Sequence, residues 1–226
     1  MKKSICTVLA LLFIFSFCAC GNTSGDSHTT TQNTTQEVKL PTHEEAVDDD
    51  KLQLIGFDSF SGVFIEDGSD REEENVLSLK LKNLTDETLV RATLIFTDEN
   101  GEEYTFSVNT IPAGKQVTVL EIHAKDFRND AVYSCTKVET TYFDADRLCK
   151  DTVTVATRDN RIFVTNATEK TLGLVYVYYK NLDADGNLFG GITYRTEFKD
   201  VEPSATLDEN TMHFNASSRV VMVEVK

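Results

Sequence analysis

The sequence predicts an all-β protein built from two tandem β-sandwiches, and three observations predict it. Apolar and polar residues alternate with period two through most of the chain beyond residue 50. No segment of comparable length carries the three-to-four spacing of an amphipathic helix. The alternating pattern also occurs twice, with a repeat of about 83 residues.

The elements follow in order. Residues 75–83 are predicted as a strand, with Leu77, Leu79 and Leu81 on one face and Ser78, Lys80 and Lys82 on the other. Residues 89–97 continue with Ala92, Leu94 and Phe96 in phase. Asp98, Glu99, Asn100 and Gly101 form a hairpin turn, with glycine where the turn needs positive φ. Residues 103–108 return with Tyr104, Phe106 and Val108 aligned, Pro112 to Gly114 interrupts, and residues 116–122 alternate again. In the second copy Val164, Thr165, Asn166, Ala167 and Thr168 match Leu81, Lys82, Asn83, Leu84 and Thr85. Thr171 and Leu172 match Thr88 and Leu89, Asp183 to Gly186 match Asp98 to Gly101, and Pro203 falls near Pro112. Two copies with a handful of short strands each fit two sandwiches of immunoglobulin-like type, at residues 51–140 and 141–226. A single larger sandwich would use the same strands.

The chain upstream reads differently. Lys2 and Lys3 precede an apolar run from Ile5 to Phe17 that is shorter than the roughly 20 residues a bilayer core needs. Ala19 and Cys20 follow, so residues 1–19 read as a lipoprotein signal peptide and Cys20 as the lipidated residue. Phe17 stands where this signal usually carries leucine. A plain secretory signal is the alternative, and it would leave Cys20 as an exported thiol. Two acyl chains on sulfur, at about 0.8 kcal/mol per buried CH₂, would hold the protein to the extracellular face of a bacterial cell membrane. Residues 20–50, rich in Thr, Gln, Asn and acidic side chains, cannot bury enough apolar surface to order themselves and are predicted as a disordered linker.

Loss of Lys2 and Lys3 with the signal takes the formal charge from −15 to −17. Such a surface repels phosphate backbones, which argues against nucleic acid as a partner.

The unit of strand, Asn-x-Thr, strand, Asp-x-x-Gly, strand, proline turn and strand resembles the small immunoglobulin-like or fibronectin-III-like modules, FxLYD-type domains included, that recur in Gram-positive surface lipoproteins. The resemblance covers most of residues 75–121 and 161–210. It implies a non-catalytic binding or spacer role and transfers no active-site residue.

Cys6 and Cys18 leave with the signal, so Cys135 and Cys149 remain as a disulfide candidate at the junction of the repeats. A bridge there would contribute roughly 3 kcal/mol in the chain-entropy model; two separately buried thiols are the alternative. Alignment at Asn83 and Asn166 sets Phe163, Leu174, Tyr176 and Tyr178 against Lys80, Arg91, Thr93 and Ile95. These four residues make an apolar outward face in the second repeat and are the binding-face candidate. It would be covered by the neighbouring domain or a terminal segment, or it would dock an envelope protein or glycan. Asp183, Asp185 and Asn187 resemble the start of a calcium loop but lack its later ligands, and Glu66, Asp67, Asp70 and Glu72 to Glu74 read as a solvated acidic run that could collect Ca²⁺ weakly; no metal site is assigned. No nucleophile elbow, phosphate loop, dinucleotide motif or zinc-protease motif is present, so neither catalysis nor a cofactor is expected. The expected role is a non-catalytic, lipid-anchored binding or structural module of the envelope. A solute-binding lipoprotein of a transporter is the alternative, and it would need two larger α/β lobes.

Overall fold

The computed structural model describes residues 45–143 and 147–226. The predicted signal, Cys20 and most of the predicted linker lie outside them. Among the described residues every regular element is a strand. The first group is β1 (Glu45–Val47), β2 (Leu52–Phe64), β3 (Arg71–Asn83), β4 (Thr88–Thr97), β5 (Glu103–Ile111), β6 (Gln116–Leu120) and β7 (Ser134–Phe143). The second is β8 (Val153–Arg158), β9 (Arg161–Asn166), β10 (Leu172–Leu182), β11 (Leu188–Val201), β12 (Thr206–Asn210) and β13 (Ser218–Val225).

The pairing repeats with the sequence. In the first copy β2-β3-β6 faces β5-β4-β7; in the second β8-β9-β12 faces β11-β10-β13. Each copy is therefore a two-layered antiparallel sandwich of immunoglobulin-like type. The first core takes Leu77, Leu79 and Leu81 from one layer and Leu94, Phe96 and Phe106 from the other, and the second takes Ile162 and Val164 against Val175 and Val177. Alternation explains the inward sets, because successive strand residues point to opposite faces.

The two copies share a sheet. β6 and β11 pair in parallel at Val117↔Leu188 and Thr118↔Phe189, which fuses one layer of each copy into a seven-stranded sheet, β1-β2-β3-β6-β11-β10-β13. The first core lies on one face of this sheet and the second core on the other. β10 shows the consequence: Val175, Val177 and Tyr179 enter the second core, while Tyr178 and Leu182 pack against the first.

The Asn-x-Thr motif builds the corner at which the chain leaves one layer for the other. Asn83 is fully buried, donates to the carbonyls of Glu87 (2.8 Å) and Ile111 (3.0 Å), and accepts from Thr85 through both its N–H and its hydroxyl. Asn166 repeats the set on Lys170 (2.7 Å), Val201 (2.8 Å) and Thr168. A buried carbonyl at a corner has no ladder partner, and the amide supplies one. Asp98 and Asp183 fix the two hairpins in the same way. One carboxylate oxygen accepts from the amides of Asn100 and Glu102 in the first, and of Asp185 and Asn187 in the second.

Three expectations are corrected here. Residues 45–47 of the predicted linker are a strand, because β1 pairs with β2 and Val47 packs against the first core. Asp48 joins it by accepting from the hydroxyls of Thr140 (2.7 Å) and Tyr142 (3.0 Å). β7 pairs with β4 as far as Phe143↔Thr88, so the border drawn after residue 140 cuts a strand of the first repeat. Cys135 and Cys149 are not bridged to each other. The Cys135 sulfur faces the Lys137 carbonyl at 3.8 Å within β7, while that of Cys149 donates to the Val223 carbonyl at 3.3 Å on β13.

Candidate recognition cleft between the repeats

The fused sheet leaves a cleft of about 370 Å³ where β4 and β5 of the first repeat meet β10, β11 and β13 of the second. Val90, Phe143, Met222 and Val223 give it apolar walls, and Asn109, Thr193, Tyr178, Glu224 and Arg147 supply polar groups. The Arg147 guanidinium lies over the Phe143 ring at 3.7 Å, and its buried Nε has no hydrogen-bond partner among the described residues. The Tyr178 hydroxyl donates to Glu224 at 3.0 Å, and burial pushes the phenol above its ordinary pKa. Thr193 donates to the Asn109 carbonyl at 2.9 Å and ties the cleft floor across the repeats.

The predicted face is only partly assembled. Leu174, Tyr176 and Tyr178 lie together on the outward side of β10, with the Tyr176 and Tyr178 rings 6.4 Å apart. Arg195 stacks over Tyr176 at 4.3 Å and Lys226 at 5.3 Å, while Glu197 and Glu224 flank Tyr176 in register on β11 and β13. Tyr178 is the hinge of this surface: it lines the cleft, packs against the first core and begins the aromatic row. Phe163 is not part of it. β9 belongs to the opposite layer of the second sandwich, so its outward side looks away from that of β10, and Phe163 sits beneath Arg158 at 5.2 Å instead. The corner at Asn166 is the reason, since it sends the chain to the other sheet between the two positions.

Beside the cleft lie a fully buried lysine, Lys180, and a partly buried carboxylate, Glu66, that influence each other electrostatically and are absent from the predicted site residues. β2 and β3 are 13 residues each, against six in β8 and β9, and the extra length carries Ile65 and Glu66 to β11. Both carboxylate oxygens of Glu66 accept from the Gly191 amide (2.8 and 2.9 Å), and one also accepts from Leu120 (3.0 Å). Fully buried Lys180 donates its three protons to the carbonyls of Gly190 (2.7 Å), Gly191 (3.2 Å) and Ile192 (2.6 Å). Burial raises the Glu66 pKa and lowers that of Lys180 to about 7, with the opposite charge of Glu66 acting against the second shift. Gly190 and Gly191 make the contact sterically possible. A Cβ on Gly190 would sit 2.2 Å from Ile65, and one on Gly191 would sit 1.9 Å from the Ser107 carbonyl oxygen. The signal available in the sequence is the Gly-Gly pair inside a strand.

The metal-like runs resolve into structural bonds. Asp183 spends one oxygen on its own turn and the other on the Thr118 hydroxyl at 3.0 Å, and Glu66 faces β11. Cys20 lies outside the described residues.

No family model matches the chain, and no curated protein matches it. Among solved structures it is similar to red sea bream transglutaminase, at 16% identity and a TM-score of 0.18. That match covers 78% of this chain and 29% of the other, so the chain spans less than a third of its neighbour's length.

Proposed function

We propose that the protein is a non-catalytic binding module, held by a lipid on Cys20 to the extracellular face of a bacterial cell membrane, that captures an envelope protein or glycan. The observation that carries the reading is the continuity of the cleft between the repeats with the Tyr176 and Tyr178 surface. The cleft offers apolar walls, the Tyr178 ring and fixed polar groups, and the Tyr176 ring adjoins it on the strand surface, 6.4 Å from that of Tyr178. Of two ionisable groups nearby, Glu66 joins strands of the two repeats and Lys180 joins β10 to β11. Glu66 is bonded to two backbone amides and Lys180 to three carbonyls, bonds that a structural role accounts for.

Two experiments test this. Labelled palmitate should enter the wild-type chain and be lost in Cys20→Ala; equal labelling would remove the anchor. Capture from envelope extracts should drop in Tyr176→Ser and Tyr178→Ser while the folded β signal in circular dichroism persists. Undiminished capture by both variants would remove the proposed surface.

A further inference from the structure

One end of the shared sheet, where β3 and β10 finish and β6, β11 and β13 begin, holds a cavity of about 400 Å³ with walls from both repeats. On one side stand Lys82, near the end of β3, and Lys115, just before β6. They are neighbours, because Lys82 opposes Gln116 and the Asn83 amide bonds the Lys115 carbonyl at 3.0 Å. On the other side Arg219, at the start of β13, lines the cavity with Leu182 and Val221. The parallel pairing of Val117 with Leu188 brings the sides together, since it sets Asn187 and the β10–β11 turn beside the start of β6. The cavity shares no lining residue with the cleft of the proposed function, and the inference does not rest on that reading.

Its charge runs against that of the chain. Acidic residues outnumber Lys and Arg by 37 to 22 and the formal charge is −15, yet three cations line the cavity and, among the described residues, no carboxylate does. Among those residues none of the three cations forms an ion pair. Asp183 on the adjoining turn is engaged at both oxygens, by the Asp185 and Asn187 amides and by the Thr118 hydroxyl. Like charges set side by side are destabilising, a cost that an anion held between the walls offsets.

We propose that this cavity binds a phosphate group carrying two negative charges, as the free ion or as the head of a small monoester. Three cations match a dianion better than a carboxylate, which brings one charge, and ammonium and guanidinium groups on opposite walls suit an anion with oxygens on every side. A long polyanion would meet the rest of an acidic surface beyond the cavity, whereas a compact ion does not. A second copy of the chain carries the same −15 and meets the same repulsion. The chain's own acids outside the described residues are poor occupants. Asp26 and Glu37 bring one charge each, and Glu44 adjoins Glu45, which β1 holds on the far side of β2 from Lys82. Asp144 and Asp146 belong to the short link from Phe143 to Arg147, both of which line the other cleft.

The test uses the full chain in nonionic detergent at low salt and about pH 8, where a phosphate monoester carries two charges. Titration calorimetry should show inorganic phosphate binding, weakened about tenfold by Lys115→Gln and by Arg219→Gln. Lys170→Gln, which removes an exposed cation elsewhere, should leave the affinity unchanged. Acetate, with one charge, should bind far more weakly to the unmodified protein, which holds the test open if a variant fails to fold. Glycerol 3-phosphate separates the sources: binding at least as tight as that of the free ion assigns the group to an ester, and binding of inorganic phosphate alone assigns it to the ion itself. Failure of both to bind would overturn the proposal, as would equal weakening by Lys170→Gln or equal binding of acetate. Binding that appears only on dilution of the protein would overturn it in favour of a second copy. Binding that appears only after Asp26→Asn, Glu37→Gln and Glu44→Gln would overturn it in favour of the chain's own upstream residues.

Discussion

The first and second repeats share their corners and hairpins bond for bond, yet they differ in what they present outward. Asn83 and Asn166 hold equivalent carbonyls, and Asp98 and Asp183 fold equivalent turns. Outward on β4 stand Arg91 and Thr93, whereas the matching positions on β10 are Leu174 and Tyr176. Among the described residues the first repeat also has its edge closed by β1, and no strand pairs with the matching edge of the second. What duplication preserved is the scaffold, and the outward aromatic row is found in the second copy. The longer β2–β3 hairpin of the first copy meanwhile became the clamp that joins the two.

Experiments that break or sharpen this comparison begin with the clamp. Lys180→Met should cost about 3–5 kcal/mol at neutral pH, because it strands three carbonyls and removes the cation beside Glu66, and urea unfolding measures it. The pH dependence follows from the sign of the shift. With Lys180 near 7 in the folded chain and at its ordinary 10.5 when unfolded, the folded state holds fewer protons across that window. Its contribution therefore rises with pH, and the gap between wild type and Lys180→Met should widen from pH 7 to 10 by up to about 1.4 kcal/mol per unit. Next, Asn83→Ala and Asn166→Ala should each cost about 2–4 kcal/mol, with equal losses in calorimetry if the corners are equivalent. A large inequality would show that the copies are not energetically alike. Gly191→Ala should cost about 1–3 kcal/mol by forcing β11 off Ser107, and should split one melting transition into two if the clamp alone couples the repeats. Thr118→Val, which removes the hydroxyl donated to Asp183, should cost about 0.5–1.5 kcal/mol.

Period-two alternation was enough to place β3, β4 and β5 to within a few residues and to name their buried leucines and aromatics. The duplicated motifs were visible as well, although their role as donors to corner carbonyls needs the third dimension. Three features were hidden for physical reasons. Glu66 sits in an acidic run whose other members are exposed apart from half-buried Glu73, and only the length of β2 and β3 brings it to β11. Lys180 reads as a solvent-facing strand residue until the irregularity after Tyr179 turns it inward to the Gly190–Ile192 carbonyls. Phe163 and Tyr176 share a phase in the alignment, but phase does not say which layer a strand joins.

The shared sheet also sets an order of assembly. Leu188 and Val221 are buried in the first core, so the first repeat is completed by side chains that emerge only after all of its own strands. A nascent chain delivered head first reaches that point with its first hydrophobic layer still open. Cutting the polypeptide after β7 would therefore yield an unfinished body and not an autonomous half.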